Sequence, residues 1–177
     1  MKNLKSAIAV VMLIAVTAVS CKKDDAAPDI TGGGSATVTA TNYGFDGTGG
    51  AEFKSTAAGI VKVGNIFTLT AVKDGGNQSV TIILPNVTAT GKYDLLEGNA
   101  DGNGAIISKD YKSPADGALN YTTDAVVAAG ARGGGEVNIT KLTATEAEGT
   151  FYLVAHNSAG KEAFVEGGTF KGSLTTK

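Results

Sequence analysis

The chain has 177 residues, with 15 Lys and Arg against 17 Asp and Glu, one arginine (Arg132), one cysteine and no tryptophan. This balance excludes a nucleic-acid surface, which needs a basic face to release counterions from phosphate, and a lone thiol excludes an intramolecular disulfide. The 25 glycines fall in turn clusters without a fixed period, which excludes a collagen-like repeat.

Residues 1–20 have the layout of a secretory signal. Lys2 and Lys5 form a basic start, and the apolar run Ala7 to Val16 is too short to span a bilayer. Small residues, Ala18 and Ser20, stand just before Cys21. This AVSC pattern resembles the lipobox of bacterial lipoproteins. The resemblance implies cleavage before Cys21, a diacylglycerol on its thiol and an acyl chain on the new amine, and chains in that number anchor a protein stably. Cleavage there leaves 13 bases against 17 acids, a net charge of −4. Lys23-Asp24-Asp25 loosely resembles the acidic export signals that carry lipoproteins of the Bacteroidota to the outer face of the outer membrane. The same run also suits a solvated tether. The organisation expected is a signal peptide at 1–20, acylated Cys21 and a flexible tether at 21–35 ending in Gly-Gly-Gly-Ser, and one domain at 36–177.

Beyond the tether, short runs rich in Val, Ile, Thr, Phe and Tyr alternate with Gly, Asn and Asp, the signature of strands and turns. ATVTATN (36–42) puts Ala36, Val38 and Ala40 on one face, and AEFKS (51–55) turns Phe53 inward. IFTLTAV (66–72) and SVTIIL (79–84) alternate around the KDGGNQ turn and predict a hairpin with Phe67, Leu69, Val80 and Ile82 inward. GKYDL (91–95), AIISKDY (105–111) and LNYTT (119–123) are shorter strands. DAVVAAGA (124–131) reads as a mobile loop or one helical turn. EVNITKL (136–142) pairs with TFYLVAHN (150–157), where Phe151 and Leu153 face inward, and EAFVE (162–166) and TFKGSL (169–174) close the chain. With no convincing helical period, about ten strands predict an all-β domain, an antiparallel sandwich or flattened barrel.

The motifs Gly91-Lys92-Tyr93, Asn120-Tyr121, Gly135-Glu136-Val137-Asn138-Ile139-Thr140, Gly149-Thr150-Phe151 and Gly168-Thr169-Phe170 follow one another in this order. Their order resembles an uncharacterised domain common in lipoproteins of the Bacteroidota, over roughly residues 60–174. The resemblance implies a sandwich-like β-fold and no activity.

Chemistry-bearing residues are few. His156 is the only histidine; Tyr152, Val154 and His156 share one strand face, and the expected position is a strand end near solvent. A hydrolytic triad has no Gly-x-Ser-x-Gly elbow to draw on. One histidine and one cysteine make no zinc site of several histidines or thiolates. Glycosidases need only two carboxylates, and Glu146, Glu148, Glu162 and Glu166 lie on neighbouring strands or turns, where solvent-facing charge is equally at home. NADGNGAIISKD (99–110) places Asn99, Asp101, Asn103 and Asp110 at the first, third, fifth and twelfth positions of a calcium-loop spacing, with Gly104 at the sixth. Asn at the first position, Asp at the twelfth and the want of flanking helices make this a weak calcium loop, and an Asx/Gly turn uses the same residues. AGARGGGE (129–136) lacks the Gly-Lys-Ser/Thr ending of a phosphate loop.

The function expected is that of a surface-exposed outer-membrane lipoprotein. Its β-domain is non-catalytic, needs no cofactor, and binds or displays something at the cell envelope, with an envelope protein or glycan as partner. A carboxylate-dependent carbohydrate-active hydrolase and a purely structural envelope component are the alternatives. A cleft lined by two carboxylates would mark the hydrolase.

Overall fold

The computed structural model describes residues 35–127 and 130–177. The expected signal peptide, Cys21 and nearly all of the expected tether lie outside the described residues. Ten strands follow in chain order: β1 (Ala36–Phe45), β2 (Thr48–Val63), β3 (Ile66–Val72), β4 (Ser79–Leu84), β5 (Gly91–Asp94), β6 (Gly104–Ser108), β7 (Asn120–Thr122), β8 (Gly134–Leu142), β9 (Glu146–His156) and β10 (Glu162–Thr176). Of the two architectures the sequence allows, the chain adopts the barrel. β1, β2, β3, β4, β6, β7, β9 and β10 form a closed ring in which each strand is antiparallel to the next, and β10 returns to β1. Closure removes the open edges that a sandwich would have to protect.

The ring is thinnest between β7 and β9, which share only the Thr122–His156 pair. Along the rest of that edge β9 pairs with β8, and β5 adds outside β8. The Asn103 side-chain amide donates to the Asp94 carbonyl at 3.1 Å, tying the entry of β6 to the exit of β5 across this seam.

Two tight turns lengthen the first hairpins beyond what the residue pattern predicts. Asp46 and Gly47 have φ of 56° and 78° between the paired Phe45 and Thr48, the left-handed two-residue turn that Asp-Gly favours. Gly64, with φ of 58°, and Asn65 similarly join Val63 to Ile66. β2 is therefore one 16-residue strand spanning the predicted 51–55 piece and the AAGIVKV run after it. The two final predicted strands are also one: Gly167 (φ 58°) sits in a β-bulge between the Val165–Leu153 and Gly168–Phe151 pairs, bending β10 without ending it. Residues 124–131 contain no helical turn among the described residues; the loop is pinched by a bridge between Val126 and Arg132.

Eight strands enclose a space that side chains just fill, and the inward positions do so with Phe53, Phe67, Leu69, Val80, Ile82, Ile107, Leu153 and Val165, all fully buried. The two Gly-Thr-Phe motifs meet antiparallel, with Gly149 opposite Phe170, Thr150 opposite Thr169, and Phe151 opposite Gly168. A Cβ on Gly149 would lie 2.5 Å from the Phe170 ring, and one on Gly168 would lie 2.7 Å from the Phe151 ring. Each glycine is the space that the other strand's phenylalanine occupies. This is large-to-small alternation inside a narrow barrel, written as a repeated tripeptide.

The register also gives the barrel two distinct ends. Ala36, next to the tether, pairs with Gly172, which pairs with Ala147, so the start of the domain, the Gly64-Asn65 turn and the Thr143–Thr145 turn share one end. The Asp46-Gly47 turn, the Lys73–Gln78 turn, residues 109–119 and residues 157–161 gather at the other.

Candidate functional site

The far end, opposite Ala36, is where chemistry collects. Its loops are tied by backbone hydrogen bonds: Asp46 N donates to Glu162 O at 2.6 Å, Tyr111 N to Asn77 O at 2.9 Å and Ser158 N to Gly117 O at 3.2 Å. Side chains add to this. Asn157 Nδ2 donates to Ala118 O at 2.8 Å, and Asn120 Nδ2 donates to Asp116 O at 2.7 Å and Ser113 O at 2.9 Å. Long loops held this way are surfaces of defined shape.

Between the 117–127 segment and the 156–160 turn lies a groove of about 550 Å³. Its lining includes His156, Asn120, Thr122, Val126, Val127 and Ser158, and among the described residues no charged side chain contributes to it. His156 was expected near solvent; instead it is 3% exposed. The strand end is where the alternation places it, on the outward face of β9, but the Thr122 pairing and the overlying loops cover the ring. Its Nδ1 has no hydrogen-bond partner among the described residues, and its Nε2 lies 3.7 Å from Glu162 Oε2. Truncating it would leave a cavity, so the position is not the neutral one that a solvent-facing reading implies.

Beside the groove a second cluster plugs the barrel mouth. Lys109 Nζ pairs with Asp46 Oδ2, and the Tyr121 hydroxyl donates to Asp46 Oδ1 at 2.9 Å. The ammonium also sits 5.3 Å from the Phe45 ring centroid and 5.5 Å from that of Tyr121, within cation–π range. The hydrogen bond from Lys109 holds the Asp46 carboxyl below its ordinary value, and the same bond raises Lys109. Burial raises the Tyr43 phenol, whose hydroxyl has no partner among the described residues. Asp46-Gly47 was the signal in the sequence that could have located this corner, because that dipeptide marks a two-residue hairpin.

The Asp46–Lys109 pair predicts a pH profile. A lowered carboxyl pKa stabilises the fold above the unfolded value of about 4 and loses that contribution as pH falls through the folded pKa. A raised ammonium pKa stabilises below the unfolded value of about 10.4 and loses it as pH climbs through the folded one. With the two side chains 35% and 31% exposed, screening limits the pair to about 1 kcal/mol at neutral pH. Asp46→Asn keeps a residue that tolerates the left-handed turn and should flatten both flanks of urea-midpoint stability against pH. An acid flank that stays as steep as in the parent would show that other carboxylates set it.

The predicted calcium-loop residues do not converge. Asn99 Oδ1 accepts the Asn103 backbone N–H at 2.8 Å, and Asn99 Nδ2 donates to Leu96 O at 2.8 Å and Asn103 O at 2.7 Å, which makes a closed Asx turn. Asn103 is buried at the seam and Asp101 is exposed. Gly104–Ser108 is extended as β6, so Asp110 lies beyond the far end of a strand about 16 Å long at about 3.3 Å per residue. There it accepts from Lys112 N at 3.1 Å and Ser113 Oγ at 3.3 Å. A calcium loop needs a sharp turn at the sixth position, and Gly104 begins a strand instead.

The four glutamates are divided as well. Glu146 and Glu148, near the Ala36 end, are gathered around Lys141, and Lys171 also holds Glu148 at 3.1 Å. Lys171 is the main reason that Glu148 lies below its ordinary carboxylate range. Glu166 accepts from Asn42 Nδ2 at 2.7 Å, and Glu162 faces His156 at the far end. No two of them line the groove.

A family model described as a domain of unknown function, DUF6252, matches residues 45–173. No curated protein and no solved structure matches the chain.

Proposed function

The chain belongs to the DUF6252 family, and from that premise we propose that it is a lipoprotein tethered at Cys21 whose barrel holds out a non-catalytic binding groove on the side away from the membrane. The observation that carries this reading is the polarity of the barrel. The chain enters the domain at Ala36, and the groove over His156 opens at the opposite end. A tether of about fourteen residues reaches up to roughly 45 Å when extended, enough to stand the domain clear of lipid headgroups. The uncharged lining, with Val126 and Val127 beside Asn120, Thr122 and Ser158, suits a neutral ligand with one apolar side. An envelope glycan or a peptide segment of an envelope protein has that chemistry. The resemblance of AVSC at 18–21 to a lipobox supports an envelope location, and the loose resemblance of Lys23-Asp24-Asp25 to an acidic export signal supports the outer face of the outer membrane.

Two measurements test the two halves of the proposal. Cys21→Ser should move the protein out of the salt-washed membrane fraction, because the acyl chains supply the membrane affinity; retention would refute the anchor. The sole histidine gives one set of imidazole signals by NMR. Neutral oligosaccharides or small apolar peptides should shift that set, while the Lys109 cluster serves as the reference. Failure of every neutral probe to move it would leave the structural-component alternative.

A further inference from the structure

Charge is unevenly spread over the outer surface of the barrel: β2 carries Glu52 and Lys54 toward its start, but a patch farther along it and across β3, β4 and β6 is uncharged. On β5, β8, β9 and β10, outward positions carry crossed ion pairs, Lys92 with Glu136 and Lys141 and Lys171 with Glu148. On β2, β3, β4 and β6 the strand register sets two outward rows side by side. One runs Val61, Thr68, Ile83, Gly104; the other runs Gly59, Thr70, Thr81, Ile106. Neither row contains an Asp, Glu, Lys or Arg. Ile83 and Ile106 are 40% and 41% exposed, and Val63 and Ile66, a pair at the end of the same face, are 49% and 48% exposed. At its other end the face rises into Tyr111 and Pro114, which wall a groove of about 290 Å³ over Thr70 and Thr81.

We propose that this uncharged face is a self-association surface, covered by the same face of a second copy of this chain. A chain with net charge −4 after cleavage at Cys21 repels its copies unless they meet through a neutral patch, and a two-fold contact requires one patch complementary to itself. Rows of Val, Ile and Thr with no charge meet that requirement, whereas the ion-paired strands would set like charges against each other. A lipid surface fits less well, since neither row offers the Lys, Arg, Trp or Tyr that membrane interfaces select. The area is modest. Four strands about 4.8 Å apart and a seven-residue strand rising about 3.3 Å per residue span roughly 19 by 23 Å. A standard interface buries about 800 Å² on each partner, so the flat face alone makes a weak, reversible dimer, and Tyr111 and Pro114 extend it. Anchoring raises the local concentration of copies and populates such a dimer on a membrane without new contacts. A two-fold axis along the barrel axis keeps both Ala36 ends on one side and both far-end grooves open. The proposal does not rest on ligand binding at the groove.

The test is sedimentation equilibrium on residues 22–177, which keep every described strand and lack both the apolar leader and the acylated Cys21, from about 10 µM to about 1 mM, the range of weak complexes. The expected result is a weight-average mass rising toward twice that of the monomer, with association at least tenfold weaker in Ile83→Glu and unchanged in Thr169→Glu on β10. Thr81→Lys, at a hydroxyl position of the same face, carries the test if Ile83→Glu lowers the melting temperature. A monomer throughout the range overturns the proposal. So does association that survives both face substitutions, since it would then arise elsewhere in the chain. Face-dependent binding of the same protein to phosphatidylcholine vesicles would reassign the surface to lipid and overturn it equally.

Discussion

Phe151→Ala should lower the stability of the domain by about 3–5 kcal/mol, a large part of the about 5–15 kcal/mol that folded domains of this kind possess. Phe151 is 3% exposed on β9, and its ring lies over Gly168 of β10. No neighbour can follow the lost ring inward, because the opposing position has no side chain to move. Urea unfolding should show the lower midpoint with an unchanged slope; a loss under about 1 kcal/mol would mean that the barrel collapses onto the gap, contrary to this packing. The paired change gives a sharper reading. A Cβ at 168 meets the Phe151 ring and also the Phe151 carbonyl oxygen, each at 2.7 Å, so Gly168→Ala alone should destabilise. Combined with Phe151→Ala, part of that cost should vanish, giving a coupling of about 0.5–3 kcal/mol in the double-mutant cycle.

Gly149→Ala should also destabilise the domain, although it adds only a methyl group. That methyl would stand 2.3 Å from the Asn138 carbonyl oxygen and 2.5 Å from the Phe170 ring. The carbonyl belongs to β8, which pairs with β9 through Asn138–Thr150 and Ile139–Gly149. Relief therefore means separating β8 from β9 or driving Phe170 out of its place near Phe67, whose ring centroid is 6.0 Å away. Overpacking of this kind costs about 1–3 kcal/mol and sometimes more. A melting temperature lowered by roughly 5–10 °C, with hydrogen-exchange protection lost first on β8, is the expected outcome. Unchanged protection on β8 would show that the methyl is accommodated without parting the strands.

Strand existence and facing were legible along most of the chain because alternation is a local property. Ile66–Val72 and Ser79–Leu84 run as their residue pattern says, and Phe67, Leu69, Val80 and Ile82 are inside. The pattern was less readable where glycine serves two opposite purposes. Gly167 bends β10 without ending it, and AAGIVKV continues β2 through Gly59. A glycine that stops a strand and one that kinks it have the same composition around them.

The candidate site was the least legible part. Asn99, Asp101, Asn103 and Asp110 have a ligand spacing, but that spacing means convergence only if the chain turns sharply after Gly104, and pairing of β6 with β4 extends it instead. His156 was placed on the correct face of its strand and on the wrong side of the solvent boundary. Alternation says which way a side chain points; it does not say that residues 117–127 will fold over it. The two Gly-Thr-Phe tripeptides were visible as a repeated motif, while their mutual packing required the register that sets Gly149 against Phe170.

By itself, then, the sequence determined that the domain is all-β and which residues line its interior, since each of these depends on neighbours within a few residues. The tertiary structure alone decided that the sheet closes, that β8 and β5 patch the thin seam between β7 and β9, and that the groove opens opposite Ala36. It also decided that two uncharged rows lie side by side across β2, β3, β4 and β6. These depend on which distant strands become neighbours, a choice made by cross-strand packing and closure of the ring, which short-range periodicity does not encode.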